Sequence, residues 1–353
     1  MKTMTTHLKK LALAVAVAGT ASASMSSFAA ENCPIPENVR VVIGSTSTGG
    51  DTYQNSSLVT DYLSKHLDIN MKVDAVGAIP AFRALERSPN GNTIMIFHDM
   101  AYLGNLYDVN GYGNVFEKFK IGPTIAINPG NAYLVPKDSP YQSIGEIIDA
   151  AGNGEEIKVA IQPGGVSEIG FSALKNAVKR EYPGKEKNVV AVNTGSQADK
   201  NQLLFNDYAD VINGSVQANE QYTRLPKSDQ KAMRFVWLTA RNETIQQANP
   251  EGMGETTRED LLEYVTPNAS VPMTDDKNFT FDKEFFFVYN KQMDQDIVKC
   301  IDKALKEVYA KGEIQKRQKE LFFIPNYMPS SEAGKHLEDK MTEYKDIINN
   351  IQS

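Results

Sequence analysis

Predicted strands and helices alternate along this chain of 353 residues, and this order constrains the fold more than any other feature. Apolar strand patterns at 39–43, 71–76 and 93–97 alternate with helical patterns at 52–67 and 79–87. A β-α-β-α-β order implies a mostly parallel, doubly wound sheet with helices on its faces. The alternation returns further on, with predicted strands at 132–135, 157–161, 189–192, 209–212 and 235–238. We therefore predict an α/β fold built on two such sheets.

Two connecting segments divide the sequence into two predicted lobes. The apolar run before Pro129 and the aromatic run at 285–289 flank the second set of strands. We interpret them as the segments through which the chain enters and leaves a second lobe. The prediction is a discontinuous first lobe of residues 31–130 and 280–353, and a second lobe of residues 131–279. Beyond the late strand, residues 294–311, 313–321 and 331–351 have helical patterns.

Residues 1–29 are typical of a secretory signal peptide. A basic start precedes a short apolar run at 11–19, which is too short to span a bilayer, and a region of small residues follows. The small residues predict cleavage after Ala29 or Ala30. A lipid anchor at Cys33 and a buried N-terminal helix are the two alternatives. We expect the mature protein to be soluble and periplasmic.

Cys33 and Cys300 are the two cysteines of the chain. In an oxidising compartment such a pair can form a disulfide bond. We predict this bridge, which would tie the mature N-terminus to the helix at 294–311. Two unpaired cysteines are the alternative.

The overall charge narrows the choice of partners. The formal net charge is −7 and no basic run is present, which argues against a nucleic-acid partner. An anionic small molecule stays compatible with this charge, because backbone amides can bind an anion without a basic surface.

Two turns of small residues are the strongest candidates for a binding site. The first follows the strand at 39–43 and contains Ser47, Thr48, Gly49, Gly50, Asp51 and Thr52. The second follows the strand at 157–161 and contains Gly164, Gly165, Val166 and Ser167. Each would leave backbone N–H groups free at a helix N-terminus, which favours an anion. Either turn alone is often just a tight turn, but the pair suggests two lobes that close on one anion.

A nucleotide-binding loop, a hydrolase triad and a metal site have weaker support in the sequence. No Gly-Lys-Ser/Thr follows either glycine pair, which excludes a Walker-type nucleotide loop. Ser167, His98 and Asp99 could form a hydrolase triad, but an adjacent His and Asp on a strand point to opposite faces. His98 does end the third predicted strand, where α/β sheets place ligands. No metal-ligand spacing is present, so we expect neither a metal nor a cofactor.

Several short motifs, taken in order, resemble one known family. They are Gly49-Gly50 after the first strand, the turn at 88–93, the turn at 164–167 with its helix, and the segment at 193–196 with Leu203-Leu204 and Ala209-Asp210. In this order they are similar to the extracytoplasmic solute-binding receptors of tripartite tricarboxylate transporters, the TctC or Bug-type proteins. The resemblance covers essentially the whole mature chain.

The resemblance implies a two-lobed Venus flytrap that delivers a carboxylate to a membrane transporter and has no enzymatic activity. In that family, loop amides, hydroxyls and waters hold one carboxylate, which places residues 47–52 and 164–167 around it here. We further expect the far end of the ligand to contact a set of polar side chains, namely His98, Asp99, Tyr102, Asn193, Thr194 and Asn213. The expected partners are the ligand and the transporter subunits, with a monomeric receptor.

This chain departs from the family pattern at several places. Tyr53 stands where the family usually has an Asp three places after the glycine pair, and Asp51 directly follows Gly50. Glu168 and Ile169 follow Ser167, where the family often has a His. Asp51 either caps the helix or faces the ligand. Three other functions stay open: a receptor of a TRAP- or ABC-type importer, a sensory binding protein, and an exported hydrolase.

Overall fold

The computed structural model describes residues 33–352, so the predicted signal peptide and its cleavage sites lie outside the described residues. Its first half consists of β1 (Asn38–Ile43), α1 (Asp51–Leu67), β2 (Asn70–Ala75), α2 (Ala78–Glu86), β3 (Thr93–His98), α3 (Met100–Leu106), α4 (Val115–Lys118), β4 (Phe119–Asn128), β5 (Ala132–Pro136), α5 (Ile144–Asn153), β6 (Ile157–Ile161) and α6 (Val166–Glu181).

After a single 3₁₀ turn at Glu186–Asn188, the chain continues through a second series of elements. They are β7 (Val189–Asn193), α7 (Gln197–Phe205), β8 (Val211–Gly214), α8 (Val216–Thr223), β9 (Met233–Leu238), α9 (Asn242–Ile245), α10 (Arg258–Leu262), β10 (Lys283–Asn290), α11 (Gln295–Ala310), α12 (Glu313–Glu320), β11 (Ile324–Met328) and α13 (Ser330–Gln352).

The strands of residues 33–352 form two sheets. The first has the order β11-β4-β10-β3-β1-β2, and the second has the order β7-β6-β8-β5-β9. Each sheet is mixed, which differs from the mostly parallel sheets expected from the sequence. β1 pairs in parallel with β2 and β3, and β6 with β7 and β8, where helices make the crossovers. The other pairs are antiparallel: β10 pairs with β3 and β4, β11 pairs with β4, and β5 pairs with β8 and β9.

The two sheets are joined by two chain segments, both of which form hydrogen bonds with Thr239. The chain leaves the first sheet after Asn128 and returns to it at Lys283. Between these points the Thr239 N–H donates to the Asn131 carbonyl at 2.9 Å, and the Phe281 N–H donates to the Thr239 carbonyl at 2.6 Å. Gly130 has a φ of +63°, and a Cβ there would lie 2.6 Å from the Phe281 carbonyl oxygen, so glycine is required. The lobe boundaries at 130/131 and 279/280 stay a prediction.

Helix α13 packs across both sheets. One apolar cluster contains Leu337, Tyr344 and Ile348 of α13 together with Phe97 of the first sheet and Val159 of the second. The core is therefore continuous from one sheet to the other.

A disulfide bond joins Cys33 to Cys300, with a Cα–Cα distance of 5.6 Å. It ties the start of the described chain to α11. Among residues 33–352, no helix is both long enough and apolar enough for a membrane span.

Candidate functional site

The first turn presents open backbone amides at the start of α1. Gly50 precedes the helix with an extended backbone, and no side chain caps it. Within the described chain, the N–H groups of Gly50 and Asp51 form no hydrogen bond. A Cβ at Gly49 or Gly50 would have Ser47 Oγ, at 4.0 or 3.9 Å, as its nearest atom. The space over this turn is open, as close approach of a ligand to the backbone requires.

Asp51 both binds a helix amide and pairs with a cation. Its Oδ1 accepts the Thr52 N–H at 2.7 Å, while its Oδ2 accepts Asn128 Nδ2 at 2.6 Å and pairs with the ammonium of Lys283. Burial alone would raise the pKa of Asp51, but Lys283 and these hydrogen bonds outweigh it and lower the pKa to about 2. The acidic side chain that seemed out of place near an anion is thus neutralised by Lys283.

His98 lies beside this ion pair at the end of β3. Its Nδ1 accepts the Met100 N–H at 3.2 Å, which leaves Nε2 as the protonated nitrogen and a free donor. Burial, together with the charge of Lys283, lowers the pKa of His98 to about 3. The ring is therefore neutral at physiological pH and can donate one hydrogen bond to a guest.

The second turn already holds a carboxylate of its own. Gly164 has a φ of +87°, and its N–H donates to the Glu168 carboxylate four residues later. A Cβ at Gly164 would lie 2.3 Å from Val109, and one at Gly165 would lie 2.1 Å from Met100 Sδ. Gly164 is required by its positive φ, and both glycines lie in close contact with the chain that follows β3. This contact brings the second turn next to His98.

Ser167 starts a buried polar cluster below the second turn. Its Oγ accepts the Gln162 N–H at 3.0 Å and donates to Asn213 Oδ1 at 2.6 Å. Asn213 Nδ2 donates to the Ser167 carbonyl at 2.6 Å and to the Tyr133 hydroxyl at 3.1 Å. The structure therefore brings Ser167 and Asn213 together, as expected for residues of one site.

Lys200 completes this cluster and was missed by the sequence analysis. Its Nζ lies 3.0 Å from Asn213 Oδ1 and 3.4 Å from Ser167 Oγ, and the residue is 2% exposed. Burial, with a contribution from the charge of Lys283, lowers the pKa of Lys200 to about 7. Lys283 was missed as well, because it opens an aromatic strand that looked purely structural.

Four predicted residues occupy other positions. Asp99 and Tyr102 are fully buried and belong to a network under α13, in which Asp99 accepts the Tyr102 hydroxyl, Lys340 Nζ at 2.6 Å and the Glu284 N–H at 2.6 Å. Asn193 is exposed at the end of β7. Thr194 donates both its N–H and its hydroxyl to the Ile161 carbonyl, at 2.8 and 3.0 Å. The structure does not bring Asp99 and Tyr102 to the turns.

The hydrolase triad is not assembled. Ser167 donates to Asn213, His98 accepts from a backbone amide, and Asp99 is held by Lys340. Within residues 33–352, no cluster of His, Cys, Asp and Glu could hold a metal ion. Cavities of about 410, 230 and 610 Å³ open on other surfaces, and neither turn lines any of these three.

The fold is similar to that of solved periplasmic binding proteins. The R. palustris protein Rpa4515, solved with adipate, superposes with a TM-score of 0.69 at 15% identity over 90% of this chain and 98% of that chain. MatC from Rhodopseudomonas palustris, with bound malate, superposes with a TM-score of 0.61 at 15% identity over 89% of this chain and 100% of that chain. A TctC solute binding protein from Polaromonas, solved without ligand, superposes with a TM-score of 0.59 at 14% identity over 88% of this chain and 98% of that chain.

No protein-family model and no curated protein matches the sequence. At these identities, the structural likeness shows the fold. The predicted two-lobed periplasmic-binding-protein fold is confirmed, with the two sheets as its two α/β units.

Proposed function

We propose that this protein is a periplasmic solute-binding receptor that captures a small carboxylate between its lobes and delivers it to a tripartite tricarboxylate-type membrane transporter. The observation that carries the proposal is a chain of contacts through Met100 and His98 that links the second turn to the Asp51–Lys283 pair of the first turn. Gly165 packs on Met100, and the Met100 N–H donates to His98. The Asp51–Lys283 pair lies close enough to His98 to shift the pKa of its ring. Residues from both lobes thus lie around His98 and Met100, and we call this region the junction.

The groups at this junction suit an anion. The first turn offers the free N–H groups of Gly50 and Asp51, and His98 offers Nε2–H. Asp51 is neutralised by Lys283, while Lys200 adds a cation from the other lobe. Each charge-assisted hydrogen bond to a carboxylate would contribute roughly 1.5–3 kcal/mol.

Proteins of the same fold support the choice of ligand class. Rpa4515 was solved with adipate and MatC with malate, both of them small dicarboxylates. The motif order that resembles TctC or Bug-type receptors agrees with this choice. The same resemblance supports a periplasmic location and transporter subunits as partners.

A thermal-shift screen of the oxidised mature protein tests the proposal. The panel contains acetate, succinate, adipate, malate and citrate, each at millimolar concentration. A ligand present at 100 times its Kd stabilises the folded state by about 2.7 kcal/mol, which is several degrees in Tm. If no member of the panel raises Tm, the carboxylate receptor function is wrong.

The type of transport system needs a separate observation. Tripartite systems place the genes of one large and one small membrane protein near the receptor gene. A neighbouring membrane kinase would instead favour a sensory role, and TRAP or ABC components would favour those importers.

One contact favours an exported hydrolase as a second candidate. Ser167 Oγ lies 3.4 Å from Nζ of Lys200, whose pKa is about 7, and such a lysine can act as a general base. Against this, the Ser167 hydroxyl donates to Asn213 rather than to Lys200. Turnover of p-nitrophenyl acetate that is lost in Ser167→Ala would support the hydrolase, and equal background rates would exclude it.

A further inference from the structure

Lys200 is a buried cation with neutral partners. It lies in α7, one turn after the Ser196 side chain that caps the helix. Its two hydrogen-bond partners, Ser167 and Asn213, carry no charge, and no carboxylate of the described chain forms an ion pair with it. An isolated ammonium in such a place is unfavourable, because burial removes its hydration without supplying a counter-charge.

The ammonium also has unused hydrogen-bonding capacity. A protonated lysine has three N–H donors, and Lys200 has two acceptors among residues 33–352. One of these, Ser167 Oγ, lies at 3.4 Å and already accepts the Gln162 N–H. At least one donor is therefore left for a further acceptor.

One amide of the second turn is not open to an anion without a rearrangement. The Gly164 N–H is occupied by Glu168, so an incoming carboxylate would have to displace that side chain. Lys200 contacts Ser167, which follows the turn directly, and has both a charge and a free donor. The charge of Lys283 in the first lobe contributes to the lowered pKa of Lys200.

We propose that Lys200, framed by Ser167 and Asn213, binds the carboxylate of the ligand in the second lobe and takes up a proton as the ligand arrives. The inference rests on the proposed receptor function and deepens it by naming the group that recognises the anion. The expected ligand is a small carboxylate, preferably a dicarboxylate whose second end reaches the first turn and His98.

The charged and titratable groups around Lys200 support proton uptake. Lys283 of β10 adds a positive charge from the first lobe and is paired with Asp51 of α1. Tyr133 of β5 binds Asn213, and burial raises the pKa of Tyr133 well above its usual range, so it stays neutral. Asp199 on α7 is exposed and accepts no bond from Lys200. With the pKa of Lys200 near 7, a carboxylate that pairs with it draws a proton onto the amine above neutral pH.

The experiment compares wild type with Lys200→Met and with a control, Lys158→Met. Methionine keeps an unbranched side chain that is one atom shorter and removes the charge. Lys158 lies on β6 of the same lobe, with its side chain 48% exposed. Calorimetry with succinate, adipate and malate at pH 6.5 should show a roughly 10- to 150-fold loss of affinity in Lys200→Met and no loss in the control.

The pH dependence separates a charge contact from a loss of packing. From pH 7 to pH 9, wild-type affinity should fall by up to about tenfold per pH unit, while the remaining affinity of Lys200→Met should be constant. Titrations at pH 8 in two buffers of different ionisation enthalpy should show proton uptake by wild type and none by the variant.

A failure of the Lys200 proposal can be distinguished from a failure of the receptor proposal. If wild type binds a member of the panel and Lys200→Met binds it equally well, Lys200 is not the anion-binding group, and the receptor function stands. If wild type binds none of the three dicarboxylates but binds acetate or citrate, the dicarboxylate preference is wrong and the receptor function stands. If wild type binds no member of the five-compound panel, the receptor proposal and the role of Lys200 are both overturned.

Discussion

The carboxylate of Asp51 in the first turn pairs with the ammonium of Lys283 at the start of β10, 232 positions further along the chain. This pair joins α1 to the strand that returns from the second lobe. It also keeps an acidic side chain at the mouth of the first turn without leaving its charge to repel an anion. Its energetic contribution can be measured.

Asp51→Asn should lower the free energy of unfolding at pH 7 by roughly 2–3 kcal/mol. The folded pKa of Asp51 is lowered from 3.8 to about 2, so its contribution is present above about pH 4 and disappears as the pH falls towards 2. Urea unfolding at pH 7 and pH 3 measures this difference, which should shrink at the lower pH. The matched control is Asp74→Asn in the exposed Arg40–Asp74 pair, with a change below about 0.5 kcal/mol.

Lys200→Met should raise the stability of the empty protein by about 1–4 kcal/mol while it weakens binding. The Ser167 hydroxyl still satisfies Asn213 Oδ1 after the change, so no buried acceptor is left without a donor. Because the folded pKa of Lys200 is about 7 against 10.5, the unfolded chain binds more protons between these values. The advantage of the variant over wild type should therefore be largest below pH 7 and decrease towards pH 10.5, as measured by denaturant unfolding. A variant that is less stable than wild type at pH 6.5 would contradict this prediction.

Lys340→Met should be strongly destabilising, by roughly 3–5 kcal/mol. Lys340 on α13 binds Asp99 at 2.6 Å and Glu284 at 2.9 Å through its Nζ, and both carboxylates are buried beneath this helix. Removing the cation leaves two buried carboxyl groups side by side. Thermal unfolding should show a large decrease in Tm, whereas Lys335→Met, on the same helix and with its side chain 80% exposed, should change it little.

Gly165→Ala should destabilise the contact between the second turn and α3 by roughly 1–3 kcal/mol, because the new methyl group would overlap Met100 Sδ. The double variant Gly165→Ala with Met100→Ala should recover part of this loss. Gly145→Ala, a helical position whose nearest atom would lie at 3.7 Å, is the control and should be neutral or slightly stabilising. Additive losses in the double variant would show that the overlap is not the cause.

The sequence predicted most of the fold because alternating apolar strands and amphipathic helices leave a clear pattern. It missed β4 as a strand, since the apolar run before Pro129 was interpreted as a connection, although it pairs with both β10 and β11. β11 was missed because it is a short strand at the edge of its sheet, between two helices, with little apolar alternation.

The site was predicted only in part. The two turns, His98, Ser167 and Asn213 could be found because they lie at or next to the carboxyl ends of strands. Lys200 could have been found from helix periodicity, since it lies four positions before the buried Leu204 and therefore on the buried face of α7. The Asp51–Lys283 pair could not, because it depends on two segments that only the complete fold brings together.

The continuous core beneath α13 has a kinetic consequence. Separating the lobes would expose apolar side chains such as Leu337 and Ile348, at a cost of about 25 cal/mol for each Å². We therefore expect the empty receptor to spend most of its time nearly shut and to admit its ligand during brief openings. Stopped-flow association rates should then reach a plateau as ligand concentration rises, because opening rather than diffusional encounter limits entry.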